Sequence, residues 1–512
     1  MRRARGAAPS LIVIGGGFGG LAAAIRLQAA GYQVTLVEAR ERLGGRAYQL
    51  KQDGFTFDMG PTLITAPELI EQLWQVAGRR MQDDLEIVPL SPFYRIYFED
   101  GRHFDYWGTA EADEAEIARF DQADVVGYRA FLRHTQAIYE RAFADLAARP
   151  FVNLPSFLRV LPELVRSGAA SSVYRLAARY FRHPYMRMVF SFHPLFIGGN
   201  PFRASAIYSI IPYLERLQGV HFAMGGMYSL VRALERLFHD LGGIVRCNSP
   251  VEQILVENGR TAGVRLAGGE QLRAAAVVAN SDVTTMLLKL LPAAYRGRIS
   301  TARLRRAHYS MSCFLLYLGV RKQYSQLKHH TVFMPDHYRR LIAEIFDGRG
   351  MPQDLAVYLH APTKTDPSLA PPGCESLYVL APVPNLGHGI DWQREGPVLR
   401  QRIVRMLEEQ LGLEGLEQHI VVEHRFTPLD FESQLGSWMG AAFSLEPTLT
   451  QSAYFRVHNR YGALPGLYFV GAGTHPGAGI PGVLLSAAVT TSLVMEDLPL
   501  AAAARIADAS PA

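Results

Sequence analysis

The sequence predicts an α/β protein whose first unit is a parallel strand–turn–helix–strand module. Three observations carry that reading. The apolar run Leu11 to Ile14 stops at Gly15-Gly-Gly-Phe-Gly-Gly20, and Leu21 to Ala30 continues as an alanine-rich helix. A second apolar run, Gln33 to Val37, ends at an acid, Glu38. Far downstream, an apolar strand meets a further glycine-rich turn, Gly471 to Gly482, that opens another helix.

Four apolar residues in a row suit a strand buried in a parallel sheet. In the turn, Gly15, Gly17 and Gly20 have the G-x-G-x-x-G spacing. Gly15 permits the tight bend, Gly17 lets the backbone approach a pyrophosphate, and Gly20 lets the helix pack closely on the strand. The helix N-terminus adds free N–H groups and the positive end of its dipole. Glu38 stands where a carboxylate can hold a ribose hydroxyl. A lone glycine triplet is weak, but strand, triplet, helix, strand and acid together specify an adenine dinucleotide. Arg2, Arg3 and Arg5 ahead of an apolar run imitate a secretory signal. Glycines 15–17 and 19–20 interrupt the core of that run, so no signal peptide is expected.

The chain has 512 residues, room for two domains with large cores. Hydrophobic residues make up 49% and charged residues 19%, a globular and rather apolar balance. The net charge of +5 suits nucleic acid or an anionic membrane equally well. No dense Lys/Arg run, recognition helix or zinc-finger spacing is present, so nucleic acid is not an expected partner. Cys247, Cys313 and Cys374 lie far apart without C-x-x-C spacing. They fit a reducing compartment and buried apolar thiols, and no metal site is predicted. No uninterrupted apolar span of about 20 residues occurs, so no transmembrane helix is expected.

Taken in order, Arg42-Leu-Gly-Gly-Arg46 follows Glu38, and Asp58-Met-Gly-Pro-Thr62 follows that. Adjacent glycines let the chain run beside a cofactor, and Arg46 offers a rigid fork of donors to phosphate. By itself such a segment is a surface turn with a solvated arginine; its place straight after the dinucleotide unit argues otherwise. Residues 67–78 read as helix. Pro92 to Tyr106 alternates as a hairpin around Glu99-Asp100-Gly101, crowded with Phe93, Tyr94, Tyr97, Phe98, Phe104, Tyr106 and Trp107. Those rings either line an apolar channel or fill the core behind a sheet. Residues 110–148 read as helices. Ser156 to Arg203 interleaves Arg159, Arg166, Arg175, Arg179, Arg182, Arg187 and Arg203 with bulky apolar residues against one acid, Glu163. That composition suits an interfacial helix on a membrane, or equally a core-facing amphipathic helix with a solvated face. Strands around Val245, Val251 to Val256, Gly263 to Leu266 and Ala276 to Ala279 form a second βαβ-like unit with a hairpin. Residues 301–454 alternate strands (308–320, 356–359, 377–381) with helices such as 397–411. Leu500 to Ala512 looks like a frayed tail.

The E-x-n-G-G-R arrangement resembles the second signature of the flavoprotein group containing amine oxidases and carotenoid desaturases. The resemblance sharpens along Phe190-Ser-Phe-His-Pro-Leu-Phe-Ile-Gly-Gly-Asn-Pro-Phe202, Gly225-Gly-Met-Tyr-Ser-Leu230, Tyr358-Leu-His-Ala-Pro-Thr363, Pro382-Val-Pro-Asn-Leu-Gly387 and Phe455-Arg-Val-His-Asn-Arg460. These segments are similar to those of the bacterial-type phytoene desaturases, and the similarity covers essentially the whole chain. It implies a Rossmann-type FAD-binding domain of the amine oxidase kind with an inserted mixed α+β substrate domain and a helical, membrane-facing part. The implied division is 8–70, 221–300 and 455–498 for FAD, and 71–220 and 301–454 for substrate, with 499–512 a flexible tail.

By the same resemblance, Gly44, Gly45 and Arg46 lie along the FAD pyrophosphate and flavin side, with Gly60, Pro61 and Thr62 beyond them. The backbone of Val251 meets the adenine. Gly471, Gly473, Pro481, Gly482 and Val483 sit on the ribityl chain and ring. A glycine-rich turn that opens a helix gives a flavin a close, flat backbone and donors at its pyrimidine side. Where the family often has a small glycine and then a lysine, this chain has Leu485 and Ala488, which leaves its product open.

The implied reaction removes a hydride and a proton from phytoene towards neurosporene or lycopene. Quinone or oxygen would reoxidise the flavin, at the cytoplasmic face of a membrane to which the protein is peripheral. Such chemistry needs a long apolar tunnel and little acid/base machinery. The sequence offers no paired carboxylates at catalytic spacing, no nucleophile elbow and no H-E-x-x-H. His193, His475 and Arg203 are the polar groups in motif segments that could stabilise or accept charge, and no catalytic residue is assigned. The alternatives are a desaturase of a hydroxylated or shorter polyene, and a flavin-free prenyl-binding protein of the GDP-dissociation-inhibitor type.

Overall fold

The computed structural model describes residues 8–140 and 168–500. The anticipated parallel sheet has five strands, in the order Leu467–Phe469, Ala276–Ala279, Ser10–Ile14, Gln33–Val37, Ile244–Arg246. All neighbours in it run parallel, with Ile12 set between Val277 and Thr35. Strands buried on both faces explain the unbroken apolar runs. One face packs on Phe18–Ala29, Met227–Asp240 and Ile480–Asp497. The other packs on the three-stranded antiparallel sheet Val251–Glu257, Arg260–Leu266, Gln271–Arg273. Thus Ile244–Arg246 and Ala276–Ala279 take opposite sides of the first strand pair, and the hairpin between them leaves the sheet.

The second layer is a seven-stranded sheet in the order Ile420–Phe426, Ser312–Val320, Glu375–Val383, Val357–His360, His330–Met334, Tyr94–Phe98, His103–Tyr106. It is antiparallel except where His330–Met334 meets Tyr94–Phe98. The aromatic hairpin therefore completes a sheet built mainly two hundred residues later. Phe93, Tyr94, Phe98, Phe104 and Tyr106 are buried in the core, which decides between core and channel in favour of core. The outer face is covered by Trp392–Leu411, which begins five residues before its expected start because the Asp391 side chain caps Gln393 and Arg394. The strands His330–Met334 and Ile420–Phe426 were not anticipated.

Of the Ser156 to Arg203 stretch, residues 156–167, with Arg159, Glu163 and Arg166, lie outside the described residues, as do 141–148 and 501–512. In the remainder, Leu176, Phe181, Tyr185, Phe190 and Phe192 are buried, while Arg175, Arg179 and Arg182 are exposed. These bulky groups serve the core and are not free to enter lipid. Among the described residues, one helix, Ile480–Asp497, is long and apolar enough to cross a membrane. It packs on Phe18–Ala29 in the core beside the parallel sheet. Cys313 is buried as expected, whereas Cys247 and Cys374 are half-buried.

Candidate active site

The C-terminal ends of the parallel strands open into one cavity of about 870 Å³ that extends below the seven-stranded sheet. At its near end the chain turns at Gly15, whose φ of +92° is hostile to any side chain. The Gly15 N–H donates to Val37 O at 2.8 Å. Gly17 then caps the helix Phe18–Ala29 in extended conformation. The Glu38 carboxylate accepts from the Gly16 N–H at 2.8 Å and from the Arg40 N–H at 2.9 Å. It thereby ties the glycine turn to the end of the second strand. Gly44 N–H donates to Gly16 O at 2.9 Å, and a Cβ on Gly45 would stand 3.1 Å from the Gly17 Cα. The two glycine segments lie directly on each other.

Gly15, Gly17, Glu38, Gly44, Gly45, Arg46, Gly60, Pro61, Thr62, Val251, Gly473, Pro481, Gly482 and Val483 all line this cavity. Gly20 and Gly471, predicted with them, do not. A Cβ on Gly20 would fall 2.0 Å from Gly15 O, and one on Gly471 would fall 2.5 Å from Asn280 Oδ1. Both are glycine so that backbone and side chain can pack behind the site. Asn280, missed from the sequence, ends its strand beneath the turn and donates from Nδ2 to Gly15 O at 3.2 Å.

The residues fit a dinucleotide with a diphosphate. Arg46 donates from Nη2 to Ser437 Oγ at 2.8 Å, while its buried Nε has no partner. Burial pushes the Arg46 pKa down, opposed by the charge of Asp282. Arg456 is 2% exposed and also keeps a buried, unpartnered Nε. Its Nη2 donates to Ala472 O at 2.6 Å beside the second glycine turn. Two cations with spare donors at the wall of a glycine-lined cradle suit an anionic cofactor.

The far end is apolar, walled by residues such as Phe196, Ile211, Leu214, Leu315, Met334 and Leu380. Leu449 and Phe455 line the cavity and are 49% and 39% exposed, so apolar side chains reach its surface. Ala169 and Ala170 also line it, just before the helix Val173–Tyr180 with its exposed Arg175 and Arg179.

Set into this end is a buried polar network that sequence reasoning missed. The Tyr94 hydroxyl donates to Glu215 Oε1 at 2.7 Å, and His193 Nε2 lies 3.3 Å from Glu215 Oε2. His330 Nδ1 and the Tyr358 hydroxyl are 2.7 Å apart, and the Tyr358 and Thr62 hydroxyls 2.6 Å apart. His330 and His360 face each other across paired strands. One ring nitrogen from each of His329, His330 and His360 lies within 4.8 Å of the others. Burial pushes His329 down to about 3 and the other two well below the usual range, so all three are neutral. Of the three polar candidates, His475 lines the cavity and His193 stands behind Glu215. Arg203 does neither; it pairs with Glu446 at 3.1 Å and Asp347 at 2.6 Å.

The chain matches the flavin containing amine oxidoreductase family over residues 18–492 and belongs to that family. It is an FAD-dependent oxidoreductase. More narrowly, it is 49% identical to the lycopene-forming phytoene desaturase of Pseudescherichia vulneris, over 95% of this chain and 99% of that one. It is 40% identical to the neurosporene-forming phytoene desaturase of Rhodobacter capsulatus, over 94% of this chain and 93% of that one. The resemblance read from the sequence is thus borne out. Among solved structures, cyclohexylamine oxidase from Brevibacterium oxydans superposes with a TM-score of 0.61 at 16% identity, covering 96% of this chain and 100% of that one. That likeness shows a shared fold.

Proposed function

We propose that this protein desaturates phytoene towards neurosporene or lycopene. The observation that carries the reading is one cavity lined both by the glycine turns with Arg46 and Arg456 and by a wall of apolar side chains. Bound FAD supplies the hydride acceptor. Glu38 would hold the ribose, Arg46 the diphosphate, and the Gly473 to Val483 turn the flavin, with Val251 at the adenine. The apolar wall would seat one stretch of polyene and keep water from it. The same reading divides the chain into an FAD-binding part (8–70, 221–300, 455–498) and a substrate part (71–220, 301–454).

A long hydrocarbon is stored in membrane, so the exposed apolar Leu449 and Phe455 of the cavity lining would meet the cytoplasmic face of one. Arg175, Arg179 and Arg182 would bind lipid phosphate, with quinone or oxygen taking electrons from the flavin. The test is expression in bacteria that accumulate phytoene. A coloured polyene with more conjugated double bonds is expected, and its absorption spectrum counts the steps. Unchanged phytoene beside folded, flavin-loaded protein would move the substrate to a related polyene.

A further inference from the structure

We propose that Glu215 is the base that takes the proton as the new double bond forms, and that Tyr94 and His193 position its carboxylate. This role rests on the desaturase reading. Forming C=C from a saturated pair breaks two C–H bonds. One leaves with its electrons as hydride to the flavin. The neighbouring one breaks heterolytically: its electron pair becomes the π bond, and its proton needs an acceptor on the protein.

Three carboxylates line the cavity among the described residues: Glu38, Asp282 and Glu215. Glu38 is held by the Gly16 and Arg40 amides at the dinucleotide end. Asp282 caps the amides of Thr284 and Thr285 and faces the Arg46 charge. Glu215 alone stands in the apolar wall, on the helical face that also carries Ile211 and Leu214. Its exposure is 0%. Tyr94 fixes Oε1, whereas Oε2 is buried without a hydrogen bond of good geometry. A carboxylate left with a spare lone pair in an apolar wall is costly to bury. In a low-dielectric wall an ionised carboxylate attracts a cationic polyene strongly.

The placement also reaches the flavin end. The Tyr94 ring lies 5.9 Å from both Phe196 and His330, and His330 bonds Tyr358, which bonds Thr62. Three side chains, Tyr94, His330 and Tyr358, thus link Glu215 to Thr62.

The test uses the FAD-loaded enzyme and phytoene in liposomes. Glu215→Gln keeps the shape and the Tyr94 contact. Its turnover should fall about 100-fold or more, the lower range for loss of a general base, with flavin content and phytoene-induced flavin spectral change retained. Glu215→Asp should exceed Glu215→Gln by at least tenfold, and added formate should restore turnover to Glu215→Ala where chloride does not. Should Glu215→Gln lose flavin, formate rescue of Glu215→Ala decides. Turnover of Glu215→Gln within threefold of wild type, or an Ala variant deaf to formate, would overturn the base while leaving the desaturase standing. Wild-type enzyme that leaves phytoene and related polyenes unconverted would overturn the desaturase reading, and this role with it.

Discussion

The two ends of the cavity are built in opposite ways. The dinucleotide end has a local nucleus: Gly15, Gly17, Glu38, Gly44, Gly45 and Arg46 come from one stretch of 32 residues. That stretch is tied through Gly15 N–H to Val37 O, Gly16 N–H to the Glu38 carboxylate and Gly44 N–H to Gly16 O. Val251, Arg456 and the turn 473–483 are added to it from afar. The substrate end is assembled from afar. Tyr94, His193, Glu215, His330 and Tyr358 come from five separate elements, and its walls are ordinary apolar residues. A phosphate-binding turn demands particular residue types at fixed spacing. A hydrocarbon tunnel demands only volume and the absence of water, which many residue sets supply.

That contrast predicts unequal tolerance to substitution. The largest effect is expected at Gly20, where Gly20→Ala places a methyl 2.0 Å from a carbonyl oxygen. Neither atom can retreat without moving the turn, so soluble, flavin-loaded protein should be lost. Gly462→Ala, with nothing within 4 Å, is the control and should retain full flavin, read as the visible-to-ultraviolet absorbance ratio. Equal flavin content in the two variants would break the distinction.

A smaller effect is expected at the surface. Reversing the exposed Arg175, Arg179 and Arg182 to Glu should weaken flotation with anionic liposomes roughly 100-fold, from about 1 kcal/mol for each basic residue at the surface. Unchanged flotation would remove the arginines from the docking account.

The smallest is a pH effect at a buried acid outside the cavity lining. Asp58 is buried at the start of the helix Met227–Asp240, accepts from the Met227 N–H at 2.8 Å, and is pushed up to about 7 by burial. Its unfolded value is near 4. Between these values the folded state binds more protons than the unfolded state, so this group's contribution to stability falls as pH rises from about 4 to 7. Asp58→Asn should therefore gain melting temperature relative to wild type by a few degrees more at pH 8 than at pH 5. A difference independent of pH would contradict the raised value.

The same contrast explains what could be read in advance. The parallel sheet, the aromatic hairpin and the cavity-lining part of the cofactor residues were legible because each depends on contiguous residues: a glycine triplet, an alternating run, an acid at a strand end. The seven-stranded sheet was legible only in part. His330–Met334 begins with two polar residues that pair inside the sheet, and its partner Tyr94–Phe98 lies more than two hundred residues away. Glu215 carries no sequence signal of its own, one acid beside the half-buried Arg216 on a helix. Only the fold brings Tyr94 and His193 to it. Gly471 shows the converse. Its motif is unmistakable, yet its small size serves Asn280 behind the cavity.

The most direct test of the desaturase assignment is anaerobic mixing of the FAD-loaded protein with phytoene in liposomes, followed by visible absorbance. The account predicts bleaching of the flavin band in step with the appearance of a longer conjugated polyene, one flavin reduced per double bond formed. Flavin that stays oxidised while phytoene is bound and unchanged would contradict it.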